Sequence, residues 1–148
     1  MIVDFENLAG TGDPGHGLIK STWESLRRVI VPGDKLVIAT GALCGSPVKY
    51  CLARTGARFL IRAGKNGAEN ALIENTDLSE IAKNYRWLVI ASGDGRLTAL
   101  AEEAVGRGMN VWQVTGIGKC HPSLEMAATV RSRLRITVPG RHVEARSA

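Results

Sequence analysis

Aromatic side chains are scarce in this sequence: three Trp, two Tyr and two Phe, 5% of 148 residues. A platform that stacks successive bases needs more of them, which disfavours the broad single-strand-binding type. Cysteine is scarcer. Cys44, Cys51 and Cys120 are odd in number and lack the paired spacing of a zinc site. Reduced, mostly buried thiols in a cytoplasmic protein are therefore expected. No apolar run approaches the roughly 20 residues that span a bilayer, and no signal-peptide pattern precedes the first apolar stretch, so no membrane partner is expected. Internal repeats and low-complexity tracts are also lacking, which leaves nothing against a single folded unit.

The remaining composition, 45% hydrophobic and 22% charged, suits one soluble globular domain with a proper core. Nineteen Lys and Arg against fourteen acidic residues leave a net charge of +5, which favours a polyanionic partner without requiring one. Arginines 131, 133, 135, 141 and 146 crowd the C-terminus. The expected domain covers residues 1–138, followed by a basic, flexible tail over 139–148.

The stretch Trp87-Leu-Val-Ile-Ala91 organises the chain. It is apolar without alternation, the pattern of a strand buried on both faces of a parallel sheet. Ser92-Gly93-Asp94-Gly95 then turns the chain. Beyond it Leu97, Leu100, Ala101, Ala104 and Val105 recur at helical spacing up to Gly106. The same order recurs elsewhere. Met1–Val3 opens onto Asp4-Phe5-Glu6-Asn7, and a Gly-rich loop over 10–17 leads into a helix carrying Ile19, Trp23, Leu26 and Ile30. Lys35–Thr40 is a second strand. Ser46-Pro47 marks a helix start and Gly56 its end. Arg58–Arg62 is a third strand, and a helical stretch from about Ala68 to Lys83 is interrupted at Asn75-Thr76-Asp77 by a kink or a fresh cap. Asn110–Thr115 is a fifth strand, and a short helix begins at His121-Pro122-Ser123. Leu134, Ile136 and Val138 alternate with Arg133, Arg135 and Thr137, as on a half-exposed edge strand. Strand and helix in regular succession mean a parallel sheet covered on both faces, a three-layer α/β domain.

In such a sheet every strand-to-helix loop opens on one side, where ligands bind at the switch in strand order. Asp4, Glu69 and Asp94 follow strands one, three and four. Three carboxylates facing one crevice repel each other unless a cation neutralises them, and hard oxygen donors suit Mg²⁺ or Mn²⁺. For Asp94 the plain alternative is a helix cap. Asn7 is a candidate for holding Asp4 or a bound water, with an Asx turn as its plain alternative. Ser92 has no histidine partner for a hydrolase triad and is a candidate for orienting Asp94 or a water instead. Glu6 reads as a solvated loop charge, and Asp77 as a helix cap or surface charge.

Val3-Asp4-Phe5-Glu6-Asn7, Gly64-Lys65-Asn66-Gly67-Ala68-Glu69-Asn70-Ala71-Leu72 and Ser92-Gly93-Asp94-Gly95 together resemble the three acidic motifs of the NYN branch of PIN-like nucleases. They do so in order, over residues 1–115. The resemblance implies a three-layer α/β/α PIN-like domain with a mainly parallel sheet of five or six strands. It also implies a Mg²⁺- or Mn²⁺-dependent endoribonuclease acting on RNA. Asp4, Glu69 and Asp94 fall at its metal-binding positions, with Asn7 and Ser92 in support. Two departures stand out. Glu69 replaces the usual aspartate, and Arg96 stands where many members carry a further acid. Arg96 is either a clamp for substrate phosphate or a sign of lost catalysis, and Lys65 is a second candidate phosphate contact. The rival reading is a non-catalytic RNA- or partner-binding module of the same fold. A third is a nucleotide-binding protein using Gly10-Thr-Gly12-Asp-Pro-Gly15, although that loop lies six residues beyond Asp4 rather than directly after the strand. His16, in the same loop, is a candidate substrate contact or an idle side chain. A homodimer and a protein regulator such as an antitoxin are both compatible with the sequence.

Overall fold

In the computed structural model, which describes residues 1–140, six parallel strands form one sheet. They are β1 (Ile2–Asp4), β2 (Val37–Thr40), β3 (Arg58–Ile61), β4 (Trp87–Ala91), β5 (Asn110–Thr115) and β6 (Val130–Arg133), in the spatial order β3-β2-β1-β4-β5-β6. Helices α1 (Phe5–Ala9), α2 (His16–Leu26) and α3 (Ala42–Cys51) accompany the first strands. Helices α4 (Gly67–Asn75), α5 (Leu78–Asn84), α6 (Thr98–Gly106) and α7 (Pro122–Ala127) follow.

The unbroken apolar run of β4 explains its central place. Leu88 and Ile90 point into a core shared with Leu72 of α4 and Ala101 of α6. Val89 and Ala91 point into the opposite core, with Phe5 of α1, Ile19 of α2 and Val48 of α3. A strand with both faces buried needs apolar residues at every position, and the helices sort themselves into the two outer layers. The result is the expected α/β/α arrangement, with a sheet that is wholly parallel. From β1 the chain steps outward to β2 and β3, then returns to place β4 on the other side of β1. Ile2 pairs with Ile90 and Val3 with Ala91, so Asp4, ending β1, and Ser92, just past β4, come side by side at the switch point.

Several local expectations change. Helix α3 starts at Ala42, five residues before Pro47, which sits inside the helix. The start is set by Gly41, whose N–H is bound by the Glu6 carboxylate. A side-chain anion at a helix N-terminus outweighs the local Ser-Pro signal there. The interruption after α4 is a fresh cap: Asp77 Oδ1 accepts from the Ser79 and Glu80 N–H groups at 3.1 and 3.3 Å and starts α5. Glu6, read as a loop charge, lies in a short helix, Phe5–Ala9, capped by Asp4.

The edge strand lies earlier than expected, at Val130–Arg133. Its ladder follows β5, which stops at Thr115, so residues 134–138 have no strand left to pair with. Their alternation survives without a ladder: Leu134, Ile136 and Val138 are half-buried and Arg133, Arg135 and Thr137 exposed. Among the described residues no helix is long and apolar enough to cross a membrane. Arg141 and Arg146, with most of the expected tail, lie outside the described residues.

Candidate metal centre

Three elements deliver the carboxylates. Asp4 ends β1 and caps α1, Glu69 lies in the first turn of α4, and Asp94 caps the 3-10 turn Gly95–Leu97 that leads into α6. One oxygen from each lies within 4.8 Å of the others, and among the described residues this is the one such acidic group. Oxygens on opposite sides of a Mg²⁺ ion are about 4 Å apart, so small side-chain adjustments bring this set onto one ion.

Asp4 is 1% exposed. Burial, reinforced by the charge of Glu69, pushes its carboxyl up to about 7. Glu69 is also raised, first by burial and then by Asp94. Carboxyls shifted this way share too little solvent and too much negative charge, the condition a divalent cation relieves. The donor set therefore fits a hard metal ion.

The supporting residues form a connected network. Ser92 Oγ donates to Asp4 Oδ2 at 3.0 Å and accepts from the Asp94 N–H at 3.0 Å. Asn7 N–H donates to Asp4 Oδ1 at 3.3 Å. The Asn7 side chain accepts from the Gly93 N–H at 2.8 Å and donates to the Lys119 carbonyl at 3.1 Å. The contact with Asp4 is thus Asp4's own helix cap, and the Asn7 side chain, instead of forming an Asx turn, staples α1 to the loops after β4 and β5. Asp94 likewise fills both roles considered for it: Oδ1 caps the Arg96 N–H at 2.8 Å, and its carboxylate joins the cluster.

The loop after β5 lies directly on α1. Ile117 and Gly118 donate backbone hydrogen bonds to Leu8 and Asn7 at 2.8 and 2.9 Å. A Cβ on Gly118 would collide with the Asn7 carbonyl, so only glycine allows this approach.

The candidate cations lie beside or just before α4. Arg96 is exposed, with Nη1 3.4 Å from Oδ1 of Asn70, the neighbour of Glu69. Lys65 is exposed in the loop before α4. Other residues lie away from the cluster. Glu6, expected to be solvated, is half-buried and accepts from Gly41 N–H and, at 3.5 Å, from the Cys44 thiol. His16 meets Cys51 at 3.4 Å, at the far end of α3, roughly 15 Å along that helix from Glu6. Helix α1 separates the Gly-rich loop from β1, unlike a dinucleotide fingerprint.

Sequence reasoning overlooked Gln113. It is wholly buried near the end of β5, with Nε2 donating to the Ser92 carbonyl at 3.1 Å and to Cys120 Sγ at 3.3 Å. A lone polar residue between Trp112 and Val114 in a buried strand is the signal that could have flagged it. No protein-family model matches the chain, and no curated protein matches it.

Proposed function

We propose that this protein is a divalent-metal-dependent endoribonuclease of the PIN-like type, within or close to the NYN branch. The observation that carries the reading is the convergence of Asp4, Glu69 and Asp94 at the sheet's switch point, with Asp4 buried and its carboxyl raised to about 7. Asp4, Glu69 and Asp94 would hold Mg²⁺ or Mn²⁺. When bound, such an ion supplies an activated water and neutralises charge on the phosphoryl oxygens.

The chain's own groups do the rest. Ser92 fixes the Asp4 carboxylate and the Asp94 backbone together, so the two oxygens that face the crevice keep their spacing. Asn7 holds the Gly93 turn in register with β1. Arg96 and Lys65 place positive charge around an acidic centre, where a phosphodiester would otherwise be repelled. The test is cleavage of end-labelled RNA with Mn²⁺ and with EDTA. Wild type should cut only with metal, and a folded Asp94→Asn protein should not cut. Cleavage that survives EDTA or Asp94→Asn removes the carboxylate centre from the chemistry.

Arg96 favours a second reading, a module of the same fold that binds RNA without turnover, because it puts a cation where the resembling family has an acid. Metal-independent RNA binding, with no cleavage under any metal, selects that reading.

A further inference from the structure

The edge that carries Asp4 and Asp94 continues past β4 into a second cleft, of about 440 Å³. Its lining includes Gln113 and Thr115 of β5, Lys119, Glu125 of α7, and Arg131 and Arg133 of β6. Strand register explains the set. Arg131 lies beside Gln113 and Arg133 beside Thr115. Alternate side chains therefore share a face, while Trp112 and Ser132 hydrogen-bond at 2.9 Å on the other.

The cleft is cationic. The ion pairs among the described residues lie elsewhere, and none involves Lys119, Arg131 or Arg133. Three cations face one carboxylate, Glu125. A bare anion would meet that carboxylate unfavourably. A nucleotide would not: its phosphate suits the cations, and its ribose hydroxyls or base amino groups can donate to Glu125.

Two hydrogen bonds tie this cleft to the carboxylate cluster. Gln113 Nε2 donates to the Ser92 carbonyl, and Asn7 Nδ2 donates to the Lys119 carbonyl. The Ser92 carbonyl can only accept, which fixes the orientation of the Gln113 amide and leaves its Oε1 buried without a partner. An unpaired buried acceptor is costly, and an apolar side chain would avoid that cost. The amide here joins the floor of the cleft to the residue that orients Asp4 and Asp94.

We propose that this cleft is a nucleotide subsite for the RNA strand. Lys119, Arg131 and Arg133 take a phosphate next to the one held over the carboxylates, so the strand leaves the centre across the ends of β5 and β6. This rests on the RNA-directed reading above. Arg135 is outside the subsite: it lies beyond β6 and does not line the cleft.

The experiment uses the full chain carrying Asp94→Asn, titrated in EDTA with a fluorescein-labelled single-stranded RNA of about 12 nucleotides across a KCl series. Combined Arg131→Ala and Arg133→Ala should weaken binding tenfold or more and flatten the log–log salt slope by about 0.7 for each phosphate that is no longer neutralised. Arg135→Ala should match the parent. Arg131→Lys with Arg133→Lys should recover most of the affinity, which separates the removal of charge from misfolding. Parent-like binding by the double alanine variant overturns the subsite, as does an equal weakening with Arg135→Ala. Calorimetric titration of Mn²⁺ into protein with all three carboxylates intact keeps the two proposals apart. If Mn²⁺ fails to bind while the arginine effect holds, the subsite stands and the metal centre falls. If Mn²⁺ binds and drives cleavage but the cleft variants behave as wild type, the metal centre stands and the subsite falls.

Discussion

Replacing Asp4 with Asn should stabilise the metal-free protein at neutral pH. Burial and the Glu69 charge raise the Asp4 carboxyl from 3.8 to about 7. A raised carboxyl binds its proton more tightly in the folded state than in the unfolded one. Its contribution to stability is therefore fully present below about pH 3.8 and is lost as pH rises through about 7. Three pKa units correspond to roughly 4 kcal/mol between those limits. The variant removes that loss and keeps an oxygen for the Asn7 N–H, but it changes the contact with Ser92 Oγ, at a cost of about 1 kcal/mol. The expected gain at pH 8 is about 3 kcal/mol, or roughly 6–12 °C in melting temperature for a chain of this size. At pH 4 the gain should vanish or reverse. The assay is urea unfolding followed by circular dichroism from pH 4 to 8 in EDTA, on wild type and variant side by side. Adding Mn²⁺ at about a thousand times Kd should then reverse the order at pH 8, since it stabilises the metal-binding form by about 4.1 kcal/mol. A stability difference that stays flat from pH 4 to 8, or a variant less stable than wild type at pH 8 without metal, refutes the crowded-carboxylate account.

Two further outcomes follow from the surroundings of the site. Arg96→Ala should lower RNA cleavage on the order of tenfold without weakening Mn²⁺ binding, and Arg96→Asp should tighten Mn²⁺ while lowering cleavage; unchanged cleavage by Arg96→Ala, measured on labelled RNA, removes Arg96 as a phosphate clamp. Glu6→Gln should cost about 1 kcal/mol by weakening the charged contact with Gly41 N–H at the start of α3, and should leave Mn²⁺ affinity at the wild-type value in calorimetry; a large fall in Mn²⁺ affinity would place Glu6 in the centre after all.

The elements that a sequence reader can place are those whose signal and cause are both local. The apolar run of β4 is buried on both faces because nothing in it is polar, and Asp77 restarts a helix through its own neighbours' N–H groups. Where the cause is distant, the local signal misleads. Ser46-Pro47 looks like a helix start, yet α3 begins earlier because Glu6, 35 residues upstream of Gly41, supplies the anion that binds its N–H. Residues 134–138 alternate as an edge strand should, yet a ladder needs a neighbour, and β5 has already ended at Thr115. Periodicity reports which side chains are buried; pairing is decided by another segment.

The site divides along the same line. Asp4, Glu69 and Asp94 were legible because strand order alone brings the loops after β1, β3 and β4 to one edge, and a carboxylate at each loop is visible in the chain. The residues that hold them in place were less visible, because their partners are remote. Asn7 reaches Gly93 and Lys119, and Gln113 reaches Ser92. Each of these contacts joins a helix or strand to the loop beyond another strand, so none leaves a spacing to detect. The glycines Gly116 and Gly118 carry the faintest signal of all. They look like turn residues, but their small size matters most where they lie against the Leu8 and Asn7 carbonyls of α1. That contact brings Lys119 within reach of Asn7, and with it joins the basic edge at β6 to the acidic centre at β1. The proposed nuclease function needs both charges close but separate, one for a metal and one for a nucleic-acid strand. Here a short, tightly packed loop holds them apart while linking them through hydrogen bonds.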